Sequence, residues 1–154
     1  MLRAKDIMTI EVITVTPETK ITEAARLLLE NRVNGLPVVD SQSRLKGIIC
    51  QSDLITQQEK VPLPSFFTIL DSFIPLTSHK NLEKEVRKIA AVTVEEAMTC
   101  DPITVGPEIS LEEIATLMVK KNIHTLPVAD RGKLVGIIGK EDVLRTLMSK
   151  GESD

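Results

Sequence analysis

The sequence contains no tryptophan, no tyrosine and only three phenylalanines in its 154 residues. Proteins that bind single-stranded nucleic acids usually stack bases on aromatic rings, so any base bound here must lie against aliphatic side chains. The sequence also has no excess of positive charge, because 19 lysines and arginines are balanced by 22 aspartates and glutamates. A chain of this composition offers no broad surface to a nucleic-acid backbone or an anionic membrane, and we expect neither partner.

Cysteine and histidine are scarce as well. The two cysteines, Cys50 and Cys100, form no Cys-x-x-Cys pair, and only two histidines accompany them. This spacing argues against a structural zinc site and favours a reducing compartment. No apolar run approaches the roughly 20 residues of a membrane-spanning helix, and the start of the chain is charged where a signal segment would be apolar. We therefore expect a cytoplasmic protein.

An internal repeat organises the chain. Three motifs occur twice in the same order, the second time 90 or 89 residues later. The pairs are Asp6–Thr9 with Glu96–Thr99, Leu36–Val38 with Leu126–Val128, and Gly47–Ile49 with Gly136–Ile138. An aspartate follows the third motif in both copies, as Asp53 and Asp142. Motifs that keep one register predict two copies of one structural unit.

Both copies show the same sequence of periodicities. A short β-rich run, Ile13–Val15 or Ile103–Val105, predicts a strand. Apolar residues at helical spacing then predict an amphipathic helix from Ile21 in the first copy and from Leu111 in the second. Two further β runs predict a hairpin, and a final helix is expected from the aspartate onward. A unit of about fifty residues is too small to cover both faces of its sheet, so the copies must pack together.

The region between the copies has no counterpart elsewhere in the chain. We expect repeats over residues 1–56 and 92–150, with a helical insertion over residues 57–91. All three phenylalanines lie in the segment Phe66–Phe73, and apolar spacing over Leu82–Ala90 predicts a short helix. The apolar segment suits a flap over a cleft, a dimer or partner surface, or an extension of the core.

The repeated motifs resemble those of the CBS domain, and two copies in one chain resemble the tandem pair called a Bateman module. The resemblance rests on the Met-Thr pairs, the Leu-Pro-Val-x-Asp segments and the Gly-Ile-Ile-x-x-x-Asp segments. It implies an α/β (α+β) fold in which two β-α-β-β-α repeats pack about a pseudo-twofold axis, usually within a homodimer. It also implies that clefts between the repeats bind adenosine-type ligands such as AMP, ADP, ATP or S-adenosylmethionine.

Each cleft of such a pair takes its aspartate from one copy and its strand and Leu-Pro segments from the other. By this resemblance, one site would contain Cys50, Asp53, Thr99, Ile103, Thr104, Ile123, His124, Leu126 and Pro127. The other site would contain Thr9, Ile13, Thr14, Val33, Asn34, Leu36, Pro37, Gly139, Lys140 and Asp142. We expect no catalytic residue, no metal ligand and no required cofactor, the adenosyl compound being a regulatory ligand.

The chemistry of these residue types fits a nucleoside. A carboxylate can hold both hydroxyls of a ribose through charge-assisted hydrogen bonds, and branched aliphatic side chains can sandwich an adenine ring. The start of the final helix presents N–H groups to the cleft and favours a phosphate there, and Lys140 and His124 could add positive charge. Asp53 and Asp142 also suit a purely structural role, because a carboxylate in the first turn of a helix is stabilised by the helix dipole.

The sequence departs from the family pattern at one position in each copy. Threonine or serine commonly stands three residues before the aspartate, whereas Cys50 and Gly139 stand there in this chain. The loss of both hydroxyls weakens the case for phosphate recognition and favours adenosine-like or weakly held nucleotides.

Three functions follow from these observations. We expect a non-enzymatic regulatory module that senses an adenosyl ligand and transmits its occupancy to a separate, unidentified protein. The departures at Cys50 and Gly139 favour a ligand-independent oligomerisation scaffold as the alternative. A nucleotide-hydrolysing enzyme is the third reading, for which the sequence shows neither a Gly-rich phosphate loop nor metal-ligand spacing.

Overall fold

The computed structural model describes residues 1–60 and 92–152. The elements in chain order are α1 (Ala4–Ile7), α2 (Ile21–Asn31), β1 (Gly35–Val39), β2 (Leu45–Cys50), α3 (Gln51–Lys60), α4 (Val94–Ala97), β3 (Thr99–Cys100), α5 (Leu111–Lys121), β4 (Thr125–Asp130), β5 (Lys133–Gly139) and α6 (Lys140–Glu152). The predicted roles of Phe66–Phe73 and the predicted helix over Leu82–Ala90 lie outside the described residues.

The two repeats contain matching hairpins. Strands β1 and β2 pair antiparallel, as do β4 and β5, and the register shifts at the same place in both hairpins, after Val38 and after Val128. Amphipathic helix α2 buries Ile21 and Leu28, and α5 buries Ile114. The mixed α/β fold predicted for two repeats is therefore confirmed.

The first strand of each repeat is shorter than predicted. Only Val15 forms a parallel bridge, with Val38, and Val105 does the same with Val128. The Val15 N–H donates to the Pro37 carbonyl oxygen at 3.1 Å, and the Val39 N–H donates to the Val15 oxygen at 2.9 Å. A longer ladder would need the next N–H from Pro37, which proline lacks. The strand prediction over Ile13–Val15 was therefore wrong in length.

The amphipathic helices bury a narrower stripe than their apolar pattern suggests. Leu29 on α2 is 76% exposed, and Val119, which stands 90 residues later on α5, is 81% exposed. Burial is instead concentrated in two clusters, one around Leu28, Leu36 and Ile49 and one around Ile114, Leu126 and Ile138. Each repeat thus has its own core beneath its own hairpin.

The short segment that leads into each repeat packs against the other repeat. Ala4 of α1 is fully buried in the core of the second repeat, and its N–H donates to the Ile109 oxygen at 2.9 Å. Val94 of α4 is fully buried in the core of the first repeat, and its N–H donates to the Thr19 oxygen at 2.7 Å. These leading segments, residues 3–9 and 93–100, therefore cross between the repeats.

The leading segments also pair with strands of the opposite repeat. Strand β3, which the sequence did not predict, pairs antiparallel with β2, with Thr99 opposite Ile48. Thr9 forms the equivalent bridge with Ile137 of β5. Each Met-Thr pair consequently borders the hairpin of the opposite repeat, where the repeats meet.

The glycine of each Gly-Ile-Ile motif allows this close approach. A β-carbon at Gly47 would lie 2.7 Å from both the Met98 sulfur and the Thr99 carbonyl oxygen. A β-carbon at Gly136 would lie 2.5 Å from the Met8 sulfur. A side chain at either position would collide with the leading segment that packs against that strand, which explains why glycine stands in both strands. Two of the motifs found in the sequence are therefore in contact across the repeats.

Candidate ligand-binding clefts

Two cavities lie where the repeats meet. Cleft 1 has a volume of about 510 Å³ and is formed by the start of α3, the residues that follow β3, and the residues around the start of β4. Cleft 2 has a volume of about 240 Å³ and is formed by residues 9–13, residues 31–36 and the start of α6. Small-molecule sites usually span about 300–1,000 Å³, so cleft 1 alone falls in this range.

The structure brings most residues of the first predicted site together in cleft 1. The predicted residues in its lining are Cys50, Asp53, Thr99, Ile103, Ile123, His124 and Pro127. Thr104 and Leu126 lie outside this lining. Thr104 is exposed beside Val105, and Leu126 is fully buried in the core of the second repeat.

The second predicted site corresponds in the same way to cleft 2. The predicted residues in its lining are Thr9, Ile13, Val33, Asn34, Leu36, Gly139 and Asp142. Thr14, Pro37 and Lys140 are absent from this lining. Thr14 and Lys140 are exposed, and Pro37 is fully buried on the opposite face of β1 from the cleft residue Leu36. The positive charge expected from Lys140 is therefore not part of either lining.

The sequence did not single out several residues that line the clefts. In cleft 1 these are Ile48, Gln51, Ser52, Ile55, Asp101, Pro102, Asn122 and Thr125, and the lining also includes Asn34, which was predicted for the other site. In cleft 2 they are Glu11, Val12, Asn31, Arg32, Gly35, Thr125, Ile137, Glu141 and Arg145. Asn34 and Thr125 border both clefts, which are neighbours across the contact between the repeats. Arg145 could have been found, because it stands three residues after Asp142 on one helix face.

Asp53 presents one carboxylate oxygen to cleft 1. It is the third residue of α3, and its Oδ2 accepts the N–H of Cys50 at 2.8 Å. This bond fixes the carboxylate at the start of the helix, as the structural reading predicted. The other oxygen, Oδ1, accepts only a long hydrogen bond of 3.3 Å from the Thr99 hydroxyl among the described contacts. Asp53 therefore caps its helix and retains acceptor capacity toward the cleft.

Asp142 resembles Asp53 in that one carboxylate oxygen accepts a backbone N–H, but its other oxygen has a different partner. Its Oδ2 accepts the Gly139 N–H at 2.8 Å, but its Oδ1 is paired with Arg145 Nη1 at 2.9 Å. The position equivalent to Arg145 in the first repeat is Thr56, whose hydroxyl donates to the Ser52 backbone at 2.9 Å. A ligand in cleft 2 would have to displace Arg145 to reach Asp142, which is only 9% exposed.

Two N–H groups at the start of each final helix are already bonded. The Gln51 N–H donates to the Asn34 oxygen at 3.2 Å, and the Lys140 N–H donates to the His124 oxygen at 3.1 Å. With the Cys50 and Gly139 N–H groups bonded to the aspartates, these four donors are not open to a phosphate. A phosphate at these helix starts stays a prediction, and it could not use these four N–H groups.

The thiol at position 50 remains protonated in cleft 1. Burial, together with the negative charge of Asp53, raises the pKa of Cys50 to about 11. A neutral thiol is a weak hydrogen-bond donor, so Cys50 contributes a small polarisable surface to the cleft. Cys100, by contrast, is exposed on β3.

Neither a metal centre nor a membrane segment is found in the described parts of the chain. No cluster of three or more potential ligands from histidine, cysteine, aspartate and glutamate occurs within residues 1–60 and 92–152. No helix in these ranges combines the length and apolarity that crossing a bilayer requires.

Comparisons with known proteins agree with the repeated architecture. The CBS domain profile matches residues 4–60 and 94–149. An uncharacterized protein of Methanocaldococcus jannaschii is 31% identical over 154 aligned residues, which cover 94% of this chain and 90% of that protein. Both are consistent with a chain built from two CBS repeats.

Solved structures show the same fold. The chain is similar to CBSX2 of Arabidopsis thaliana in complex with AMP, with a TM-score of 0.73, 28% identity, and coverage of 98% of this chain and 99% of that one. It spans 58% of the full-length CBSX2 protein. The CBS domain pair of protein MJ0100, in complex with 5′-methylthioadenosine and S-adenosylmethionine, gives a TM-score of 0.71 at 28% identity, covering 97% of this chain and 98% of that one. The chain belongs to the CBS domain family and carries a tandem pair of these domains.

Proposed function

We propose that the chain is a non-enzymatic regulatory module that binds one adenosyl ligand in cleft 1. The observation that carries the proposal is the geometry of Asp53, whose carboxylate is anchored at 2.8 Å by the Cys50 N–H and borders a cavity of about 510 Å³. Such a carboxylate can accept both hydroxyl protons of a ribose. CBSX2 and the MJ0100 pair were crystallised with adenosyl compounds, which supports this ligand class.

The walls of cleft 1 suit an adenine ring. Ile103 is 39% exposed, and with the half-buried Ile123 it supplies aliphatic surface that a purine can cover. The described lining contains no phenylalanine, so its aliphatic side chains would hold the ring by dispersion and by removal of apolar surface from water. Thr99 and the neighbouring backbone add polar groups that can fix the orientation of the ring.

Regulation requires the ligand to bind one arrangement of the repeats more tightly than another. Cleft 1 is suited to this, because Asp53 comes from the first repeat and Thr99, Ile103 and Ile123 lie in the second. A ligand that contacts both sides stabilises the spacing of the repeats in which these contacts are made. A changed spacing would alter the surface that the pair presents to a separate protein.

The proposal is tested by ligand-induced stabilisation. The melting temperature of the chain would be measured with AMP, ADP, ATP, S-adenosylmethionine, 5′-methylthioadenosine and a cyclic dinucleotide. A ligand at one hundred times its dissociation constant stabilises by about 2.7 kcal/mol, a rise of several degrees for a chain of this size. We expect at least one adenosyl compound to give this rise, and Asp53→Ala to remove it. Asp130→Ala, an exposed acid outside both clefts, should retain it.

The melting-temperature panel, together with an assay of phosphate release, distinguishes the other two functions. No stabilisation by any compound of the panel would favour a ligand-independent scaffold. Release of phosphate from ATP above the background rate, abolished in Asp53→Ala, would instead favour an enzyme. We infer a regulatory role because the one contact between a hydroxyl and a carboxylate in the described lining of cleft 1, from Thr99 to Asp53, is long at 3.3 Å, and the carboxylate is already held by the Cys50 N–H.

Assembly as a homodimer and a cytoplasmic location stay predictions. Helix α6 carries three exposed apolar side chains, Leu144, Leu147 and Met148, which are 55%, 65% and 71% exposed within the single chain. A second copy that covered them would remove this surface from water. Light scattering on the wild type and on Leu147→Glu measures this directly, and we expect a dimer that the substitution weakens.

A further inference from the structure

We propose that cleft 1 selects adenosyl ligands whose 5′ substituent is uncharged or positively charged, such as a thioether or a sulfonium, over ligands that carry a 5′ phosphate. The inference rests on the proposed function, because it takes an adenosyl compound as the occupant of cleft 1. It adds the charge of the ligand, which the ribose and adenine contacts leave open.

The charged side chains around cleft 1 favour such a ligand. Asp53 and Asp101 both line the cleft, and no lysine or arginine occurs in its described lining. His124 is the one lining side chain in this set that can become cationic. A phosphate would enter a concave site that already holds two carboxylates, where repulsion is less screened than in open water. A sulfonium would be attracted by the same two carboxylates, and a thioether would not be repelled.

Two of the backbone donors at the usual anion position of cleft 1 are unavailable to a phosphate. The N–H groups of Cys50 and Gln51 begin helix α3, where a phosphate would ordinarily be bound. Both are already used, by the Asp53 carboxylate and by the Asn34 carbonyl oxygen. The Cys50 side chain replaces a hydroxyl with a weakly donating thiol, so it does not supply the missing donor.

Cleft 2, which is formed by the equivalent motifs, does contain positively charged side chains. Arg32 and Arg145 line cleft 2, whereas Asn122 and Thr56 stand at the equivalent positions of the other repeat. Asn122 lines cleft 1 as an uncharged residue in the same left-handed conformation as Arg32, with φ values of 51° and 53°. The absence of a cation from the described lining of cleft 1 is therefore specific to this cleft.

The proposal is tested by calorimetric titration of the full chain at about pH 8, where histidine is ordinarily uncharged. The probes are 5′-methylthioadenosine, S-adenosylmethionine, AMP and ATP. We expect 5′-methylthioadenosine to bind at least about tenfold more tightly than AMP, and ATP to bind more weakly still. Added sodium chloride should strengthen AMP binding, since it screens repulsion, and should leave 5′-methylthioadenosine nearly unaffected.

A matched pair of substitutions locates the effect. Asp101→Asn removes one carboxylate from the cleft at a backbone position with a φ of 52°, which asparagine adopts readily. We expect it to raise AMP affinity by about three- to tenfold and to change 5′-methylthioadenosine affinity by less than about twofold. Asp130→Asn removes the same charge from an exposed hairpin position outside both clefts and should leave the ratio unchanged.

The outcomes distinguish a failure of the proposed selectivity from a failure of the proposed ligand binding. Binding of AMP or ATP as tight as that of 5′-methylthioadenosine would overturn the selectivity and leave the proposed function standing. An equal effect of Asp130→Asn and Asp101→Asn would also overturn it, because the discrimination would then not originate in the cleft. Failure of all four probes to bind would overturn the proposed function, and the selectivity with it.

Discussion

Cleft 1 and cleft 2 are formed by equivalent motifs of one repeated unit, and they differ at single positions. In both, an aspartate in the first turn of a helix accepts an N–H at 2.8 Å. Among the described residues, the second oxygen in cleft 1 accepts the Thr99 hydroxyl at 3.3 Å and no other donor, whereas in cleft 2 it is paired with Arg145 at 2.9 Å. The backbone of a repeat thus reproduces the place of a binding carboxylate, while one side chain three residues later determines whether that carboxylate is accessible.

The largest expected difference concerns the thiol that only cleft 1 possesses, since Gly139 stands at the equivalent position of cleft 2. A pKa of about 11 in place of 9.0 reduces the thiolate fraction of Cys50 about a hundredfold near pH 8. We expect iodoacetamide to modify Cys50 about a hundredfold more slowly in the folded chain than in urea, with the rate rising about tenfold per pH unit up to about pH 11. Mass spectrometry of Cys100→Ser measures the rate, and equal rates in both states would contradict the raised pKa.

Adding a methyl group at Gly47 and at Gly136, where each strand contacts a leading segment, should destabilise the fold to different degrees. In Gly47→Ala the new atom meets the Thr99 carbonyl oxygen, a backbone atom that cannot rotate away. In Gly136→Ala the two nearest atoms are the sulfur and Cγ of Met8, which a change of rotamer can move away. We expect losses in the free energy of unfolding of about 2 kcal/mol and about 1 kcal/mol, measured by urea denaturation. A larger loss for Gly136→Ala would show that the backbone contact at Gly47 relaxes.

Exchanging Thr56 and Arg145 should exchange the accessibility of the two carboxylates. Arg145→Thr removes the partner of Asp142, and we expect a second, weaker ligand to bind per chain. Thr56→Arg places a guanidinium three residues after Asp53, and we expect ligand affinity for cleft 1 to fall about tenfold. Calorimetric stoichiometry reports the first change and the dissociation constant the second.

The stability of these variants provides the control. The Arg145 side chain is 72% exposed, so the loss of its ion pair should lower the free energy of unfolding by less than about 1 kcal/mol. A single ligand per chain in Arg145→Thr would mean that the volume of cleft 2, about 240 Å³, excludes the ligand even when Asp142 is accessible.

The smallest effect is expected for Asp142→Asn. The amide oxygen can still accept the Gly139 N–H, and the substituted residue lies outside the lining of cleft 1. We therefore expect the dissociation constant of the first ligand to change by less than about twofold. A change as large as that caused by Asp53→Ala would show that both carboxylates belong to one coupled site.

The sequence predicts the features that recur in both copies. Helix α2, helix α5 and both hairpins follow from apolar periodicity, because these elements are selected by the burial of one face. The grouping of Asp53 with Thr99 and Ile103 in one cleft followed from the family resemblance, and the structure places all three in the lining of cleft 1. Whether they bind a ligand stays a prediction.

The sequence does not predict features that depend on contact between the repeats. Strand β3 has two residues and forms because Gly47 leaves room for it, which no local pattern reveals. The strand expected at Ile13–Val15 is reduced to a bridge at Val15 because Pro37 lacks an N–H on the neighbouring strand, a pairing known only from the fold. Arg145 was overlooked because it has no counterpart in the first repeat, and the comparison of copies emphasises what they share.

Ala4 completes the core of the second repeat and Val94 completes that of the first, so a fragment ending at residue 60 would lack part of its own interior. A single ancestral repeat would have had the same deficit, which an identical neighbour could fill by exchanging its leading segment. Fusion of two such genes would join partners that already depended on each other. Their side chains could then diverge, one aspartate left accessible and the other paired with an arginine, without loss of the shared architecture.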